Sequence, residues 1–183
     1  MPRASKAQIE TGISPQAGVS YFGGNNKSNN SFGVISGLEG YLKYNISHRW
    51  SLRGGVGYDF MHNKIDYNGP LDPQISETLN NFFVTVPIEL VISPNGNWDI
   101  SVGAEYKMLL NNQDVIEKED LRYALSLGVS QALGKGSIGL KFSYGLKDLI
   151  STKTSKSVHY EYQGTPITIK LLYRIPIRKK KED

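Results

Sequence analysis

The chain of 183 residues contains no cysteine, which excludes a disulfide framework and any thiolate metal site. It also lacks any run approaching the roughly 18–20 consecutive apolar residues that a membrane helix needs. Its start, Met1-Pro2-Arg3-Ala4-Ser5, has no apolar leader, so an exported form is expected to have had its signal removed. Charge of one sign is scarce as well: 21 Lys and Arg stand against 17 Asp and Glu, interspersed, for a net charge of +4. A nucleic-acid partner is not expected, because its footprint is a concentrated basic patch. The only dense basic run is Arg178-Lys179-Lys180-Lys181, read as a solvated tail. The mean hydropathy of −0.36 resembles that of a soluble protein. Strands that cross a bilayer escape this inference, since only every second residue faces lipid.

What the sequence has in abundance is two-residue alternation, with 19 glycines and 11 tyrosines. It predicts eight strands, over Gln8–Gly23, Phe32–Ile46, Trp50–Met61, Leu79–Ile92, Trp98–Leu110, Leu121–Leu133, Ser137–Ile150 and Thr165–Ile177. Three connections are hairpin-sized and rich in turn formers: Ser47-His48-Arg49, Ser93-Pro94-Asn95-Gly96-Asn97 and Gly134-Lys135-Gly136. The others, Asn25–Ser31, His62–Thr78, Asn111–Asp120 and Ser151–Gly164, are longer and polar. Short turns at one end and long loops at the other predict an all-β fold, an eight-stranded antiparallel up-and-down transmembrane β-barrel. One domain spans 1–183, with residues 1–7 and the charged tail 178–183 expected outside the barrel.

A soluble carrier barrel would show the same alternation with its apolar face inside. The polar face decides between the two. In the third strand Trp50, Leu52, Gly54, Val56, Tyr58 and Phe60 alternate with Ser51, Arg53, Gly55, Gly57, Asp59 and Met61. A solvated outer face has no need of glycine, which weakens strands. A narrow lumen does, because long charged side chains need small neighbours. The apolar face carries no mid-strand charge, as lipid requires, since Lys or Arg there costs about 2–4 kcal/mol at mid-membrane. Aromatics fall in two bands: Tyr44, Trp50, Trp98 and Tyr173 toward the short turns, and Tyr58, Phe60, Phe82, Tyr106, Tyr123 and Tyr144 toward the long loops. Interfacial girdles predict this banding.

The inward face therefore collects Glu39, Lys43, Arg53, Asp59, Glu89, Glu105, Lys107, Arg122, Lys141 and Lys170, expected to form a lumen charge network. Within it, Glu89 is expected to pair with Arg53, with Lys43 nearby and Lys107 as the fallback partner. Pro87 removes a ladder donor mid-strand, so a bulge or a lost hydrogen bond is expected there.

Signals for chemistry are thin. The histidines are His48, His62 and His159, and alternation would put Ser157, His159 and Glu161 on one face without orienting a nucleophile toward a base. No His/Asp/Glu cluster has metal-ligand spacing. Gly54-Gly55-Val56-Gly57 lies inside a strand, so it is no phosphate loop. No catalytic residue, metal or cofactor is expected. Tyr67, His159, Tyr160 and Tyr162 in the long loops are the candidate contacts for a partner.

The stretch Phe82-Phe83-Val84-Thr85-Val86-Pro87-Ile88-Glu89-Leu90 resembles the Pro-containing strand of the PorT-like outer-membrane β-barrel family of Bacteroidota. Trp98-Asp99-Ile100-Ser101-Val102-Gly103-Ala104-Glu105 and Leu52-Arg53-Gly54-Gly55-Val56-Gly57-Tyr58 are similar to neighbouring strands of that family. The resemblance implies an outer-membrane location and a barrel, and roles ranging from secretion accessory to unassigned. The expected function is that of a structural, partner-binding or secretion-accessory envelope protein with a plugged polar lumen. The alternatives are a membrane-embedded lipid-modifying enzyme, a soluble lipocalin-like barrel binding an apolar ligand, and a narrow pore.

Overall fold

The computed structural model describes residues 8–24, 31–67, 75–110, 121–146, 149–155 and 158–181. Among these residues nine strands follow one another: β1 (Gln8–Gly24), β2 (Ser31–Asn45), β3 (Trp50–Tyr67), β4 (Ile75–Ile92), β5 (Trp98–Leu109), β6 (Leu121–Leu133), β7 (Gly136–Gly145), β8 (Leu149–Ser155) and β9 (Val158–Lys181). All pairings are antiparallel. The order β1 to β7, then β9, is closed by β9 against β1, so eight strands make a barrel without a free edge. β8 pairs only with β9, from Leu149↔Gly164 to Ser155↔Val158, as a hairpin standing beyond the barrel.

Three expectations are corrected here. The segment Ser151–Gly164, expected as a loop, is largely this β8–β9 hairpin. Its Thr, Val and Tyr residues favour strand, and above the bilayer no apolar face is needed to hold one. For the same reason β3 and β4 run on into the expected loop His62–Thr78, pairing as far as Tyr67↔Ile75. The basic run, expected outside the barrel, lies in the sheet: Arg178 to Lys181 pair with Thr11 to Gln8, one residue out of register past Gly12. The bulge falls beside Pro176, a position where proline is tolerated.

Turn chemistry fixes the short-turn end. Ser47 Oγ accepts the backbone N–H groups of Arg49 and Trp50, at 3.3 and 3.1 Å. Asn95 Oδ1 accepts those of Asn97 and Trp98, both at 3.1 Å. The same side-chain device starts two strands on tryptophan at the same rim. Gly96 and Gly134 supply the left-handed backbone, at φ +75° and +59°, that these tight turns require. At Pro87 the β3–β4 ladder skips from Gly54↔Ile88 to Gly57↔Thr85 with unchanged register, a lost hydrogen bond without a bulge.

The faces sort cleanly. Val56, Val102, Leu127 and Leu140 lie half or more exposed on the outside, whereas Lys141 and Lys170 inside are only 2% and 1% exposed. An apolar exterior around a polar interior is the transmembrane arrangement. It removes the soluble lipocalin-like alternative, which needs its apolar surface within. Cysteine variants at Leu38, Leu52, Val102, Leu125 and Leu140, all on the exposed outer face, are expected to resist a membrane-impermeant maleimide in vesicles and to react with a lipophilic one. Equal labelling by both reagents would contradict a lipid-facing belt.

Candidate functional site: a charge-filled lumen and its vestibule

Inward-facing positions meet across the barrel because eight strands leave a lumen only a few side chains wide. Glycines make the room. At Gly103 a Cβ would run into the Ile88 carbonyl and the Glu89 side chain, and at Gly55 into Gly40 and Glu39.

At mid-height, Arg53 on β3 and Glu89 on β4 are directly opposed in register. Arg53 donates Nε–H to Glu89 Oε2 at 2.8 Å and a second, Nη2 hydrogen bond to the same oxygen. The other Glu89 oxygen meets Lys141 Nζ from β7 at 2.7 Å. Lys141 also contacts Glu105 of β5 at 2.5 Å, and Glu105 meets Lys107 at 3.0 Å. The chain Arg53–Glu89–Lys141–Glu105–Lys107 thus spans the lumen from the β3 wall to the opposite β7 wall.

Further toward the long loops, Asp59 accepts hydrogen bonds from Lys170 Nζ at 2.7 Å, Thr85 Oγ1 at 2.9 Å and Gln16 Nε2 at 3.1 Å. Ser20 donates to Asn63 at 2.9 Å above it. Toward the short turns, Lys43 Nζ meets Asp99 at 2.8 Å, and Ser93 donates to the same carboxylate. Lys43, Arg53 and Glu89 share one row of the ladder, but Lys43 makes its ion pair across the lumen with β5, and the second cation on Glu89 is Lys141. Lys107, the fallback partner, goes to Glu105.

Three cross-strand neighbours in the ladder are like-charged: Lys43↔Arg53, Lys107↔Arg122 and Lys141↔Lys170. Directly opposed like charges repel, so the carboxylates that meet them, Asp99, Glu89, Glu105 and Asp59, are what make these positions tolerable. Glu39 and Arg122 are buried in the same lumen. Sequence reasoning missed Asp99, Gln16 and Arg174. Arg174 was legible, being four residues from Lys170 on the same face, but it borders the basic run read as a tail.

The outer aromatics stand in two bands. Tyr44, Trp50, Trp98 and Tyr173 are exposed near the short turns, and Tyr58, Tyr123 and Tyr144 toward the other end, where Tyr106 is half-buried. There Tyr58–Phe82, Phe60–Phe82 and Tyr106–Tyr123 are in ring contact at 5.7, 4.8 and 5.5 Å. His62 lies in the same region, with Nδ1 2.7 Å from Asn80 Oδ1. The side chains of Tyr67, His159, Tyr160, Glu161 and Tyr162, and all of Ser157, lie outside the described residues. Among the described residues no group of three acids or histidines is placed to hold a metal ion.

Below the ion-pair chain the lumen opens at the short-turn end into a cavity of about 440 Å³. Its walls include Tyr41, Lys43, Asp99 and the turn residues Ser47 and Asn97, and Arg53 and Arg174 close its inner end.

No family model matches the chain, and no curated protein matches it. Among solved structures it is similar to the outer membrane protein OprG from Pseudomonas aeruginosa, with a TM-score of 0.50 at 12% identity, covering 94% of this chain and 96% of that one. Lower scores relate it to the outer membrane protein AlkL, at 0.47 and 14% identity over 97% of this chain and 93% of that one. The outer membrane protein Ail of Yersinia pestis scores 0.43 at 13% identity, over 91% and 99%. The likeness to OprG shows the fold, a closed antiparallel barrel of outer-membrane type.

Proposed function

We propose that the chain is an integral protein of a bacterial outer membrane, a non-conducting barrel that anchors and presents a binding surface to another envelope component. The observation that carries this reading is the ion-pair chain across the lumen. Its members Arg53, Glu89, Lys141 and Glu105 are nearly inaccessible to water. A solute passing through would have to part them, and each separated charge would be left buried and uncompensated. With the lumen occupied, interaction falls to the rims. The β8–β9 hairpin stands beyond the barrel wall and carries Tyr160 and Tyr162 in its sequence, a residue type enriched at interfaces. The resemblance of Phe82–Leu90 to the PorT-like family supports a secretion-accessory or related envelope role.

Reconstitution into planar bilayers tests the central claim. The purified protein is expected to insert without steady conductance, and reproducible, ion-selective currents would overturn the reading. Detergent extraction of native envelopes with the tagged chain is expected to co-purify a stoichiometric partner. Lipid turnover by the pure protein without one would favour the enzyme instead.

A further inference from the structure

The vestibule at the short-turn end has an electrostatic imbalance that the closed lumen does not explain. Two of its cations are satisfied by carboxylates: Lys43 by Asp99, and Arg53 by Glu89. Arg174 is not. It is 7% exposed and gives one Nη1 hydrogen bond, to Ser130 Oγ at 3.0 Å. Among the described residues no carboxylate pairs with it. A guanidinium carries five N–H donors, and the carboxylates Glu89, Glu39 and Asp99 act on this one only from beyond ion-pair distance. The remaining donors border the cavity that Arg174 helps to close. Tyr41 and Glu10 also line that cavity, and the Tyr41 hydroxyl is committed as a donor to the Glu10 carboxylate at 3.2 Å.

We infer that the vestibule is a binding site for a small hydroxylated oxyanion, carboxylate or phosphate, whose charged end seats on Arg174 with Ser130 beside it. The planar fork of arginine matches two oxygens of such a group. The volume, about 440 Å³, falls in the range of roughly 300–1,000 Å³ typical of small-molecule sites. Walls of serine, asparagine and tyrosine suit a polyhydroxy body better than an apolar one. Because the ion-pair chain closes the lumen above Arg53, a ligand would enter and leave by the same opening. The site would hold its ligand and not conduct it. By the usual orientation, with short turns inward, that opening faces the periplasm.

The test uses the full chain refolded in micelles of a phosphate-free neutral detergent, with amide shifts followed by NMR at constant ionic strength. The probes are glucose 6-phosphate, glucuronate and, as the neutral control, glucose. Saturable shifts confined to the vestibule with either anion, and none with glucose, are expected. Which anion binds more tightly tells a phosphate source from a carboxylate one. Arg174→Gln is expected to weaken binding at least tenfold, Ser130→Ala a few-fold, and Arg174→Lys less than the glutamine variant. Lys64→Gln on β3, toward the long loops, is expected to leave affinity unchanged. Should Arg174→Gln fail to fold, Ser130→Ala and Arg174→Lys decide. Absence of saturation, equal response to glucose, or affinity indifferent to the vestibule variants would each overturn the inference.

Discussion

Replacing Glu89 by glutamine is expected to lower the unfolding free energy in detergent by about 3–5 kcal/mol, the usual cost of removing one partner from a buried ion pair. The effect should lie at the upper end, because this carboxylate serves two cations. Glutamine keeps one acceptor oxygen but no charge, so Arg53 loses its counter-ion, and Lys141 keeps only Glu105 while still opposed to Lys170 in the ladder. Adding Arg53→Met is expected to restore part of the loss. Lys141→Met alone is expected to be milder than Glu89→Gln, since Arg53–Glu89 and Lys107–Glu105 survive as pairs. Denaturant unfolding of the native protein, Glu89→Gln, Arg53→Met and the double variant forms a mutant cycle. Neutral single variants whose effects simply add would show that the groups are not coupled.

The second large effect belongs to the outside. Leu127 faces lipid between Val102 and Phe142, its partners in the two adjacent ladders, near the middle of β6. Leu127→Arg is expected to cost about 2–4 kcal/mol in lipid vesicles, and Leu133→Arg, beside the short turn, about 0–1. The depth gradient is the diagnostic, because a water-facing surface would tolerate arginine equally at both positions. Unfolding from vesicles measures it. Similar costs at the two sites would be incompatible with a bilayer around the belt.

Barrel architecture and facing could be read from the sequence because period-two alternation, glycine on the charged face and turn chemistry all gave the same answer. The direct opposition of Arg53 and Glu89 was also legible, although β3 and β4 are joined at the long-loop end, because counting up from the short-turn rim puts both inward-facing residues at a similar height. Contacts across the lumen were not. Lys43 with Asp99, or Asp59 with Lys170 and Gln16, depend on strand tilt and on the reach of long side chains, and neither is a local property of sequence. The strand extensions beyond the bilayer were missed for another reason. Outside the membrane the alternation becomes polar on both faces, and a polar strand then looks like a loop. The β8–β9 hairpin and the paired basic run Arg178–Lys181 are both of this kind.

Among the described residues β9 is the only strand bonded to three others, β1, β7 and β8. It also follows the other eight in sequence. Until its 24 residues are in place, the preceding strands amount to an open ribbon with two bare edges, each a template for pairing with another molecule. The entropy of joining the two ends of the chain falls almost wholly on this final step. Assembly is therefore expected to be all-or-none with respect to β9: without it the remaining strands make an open, aggregation-prone sheet and not a smaller barrel. In transit to its membrane the full chain has to be kept apart from its own copies until closure.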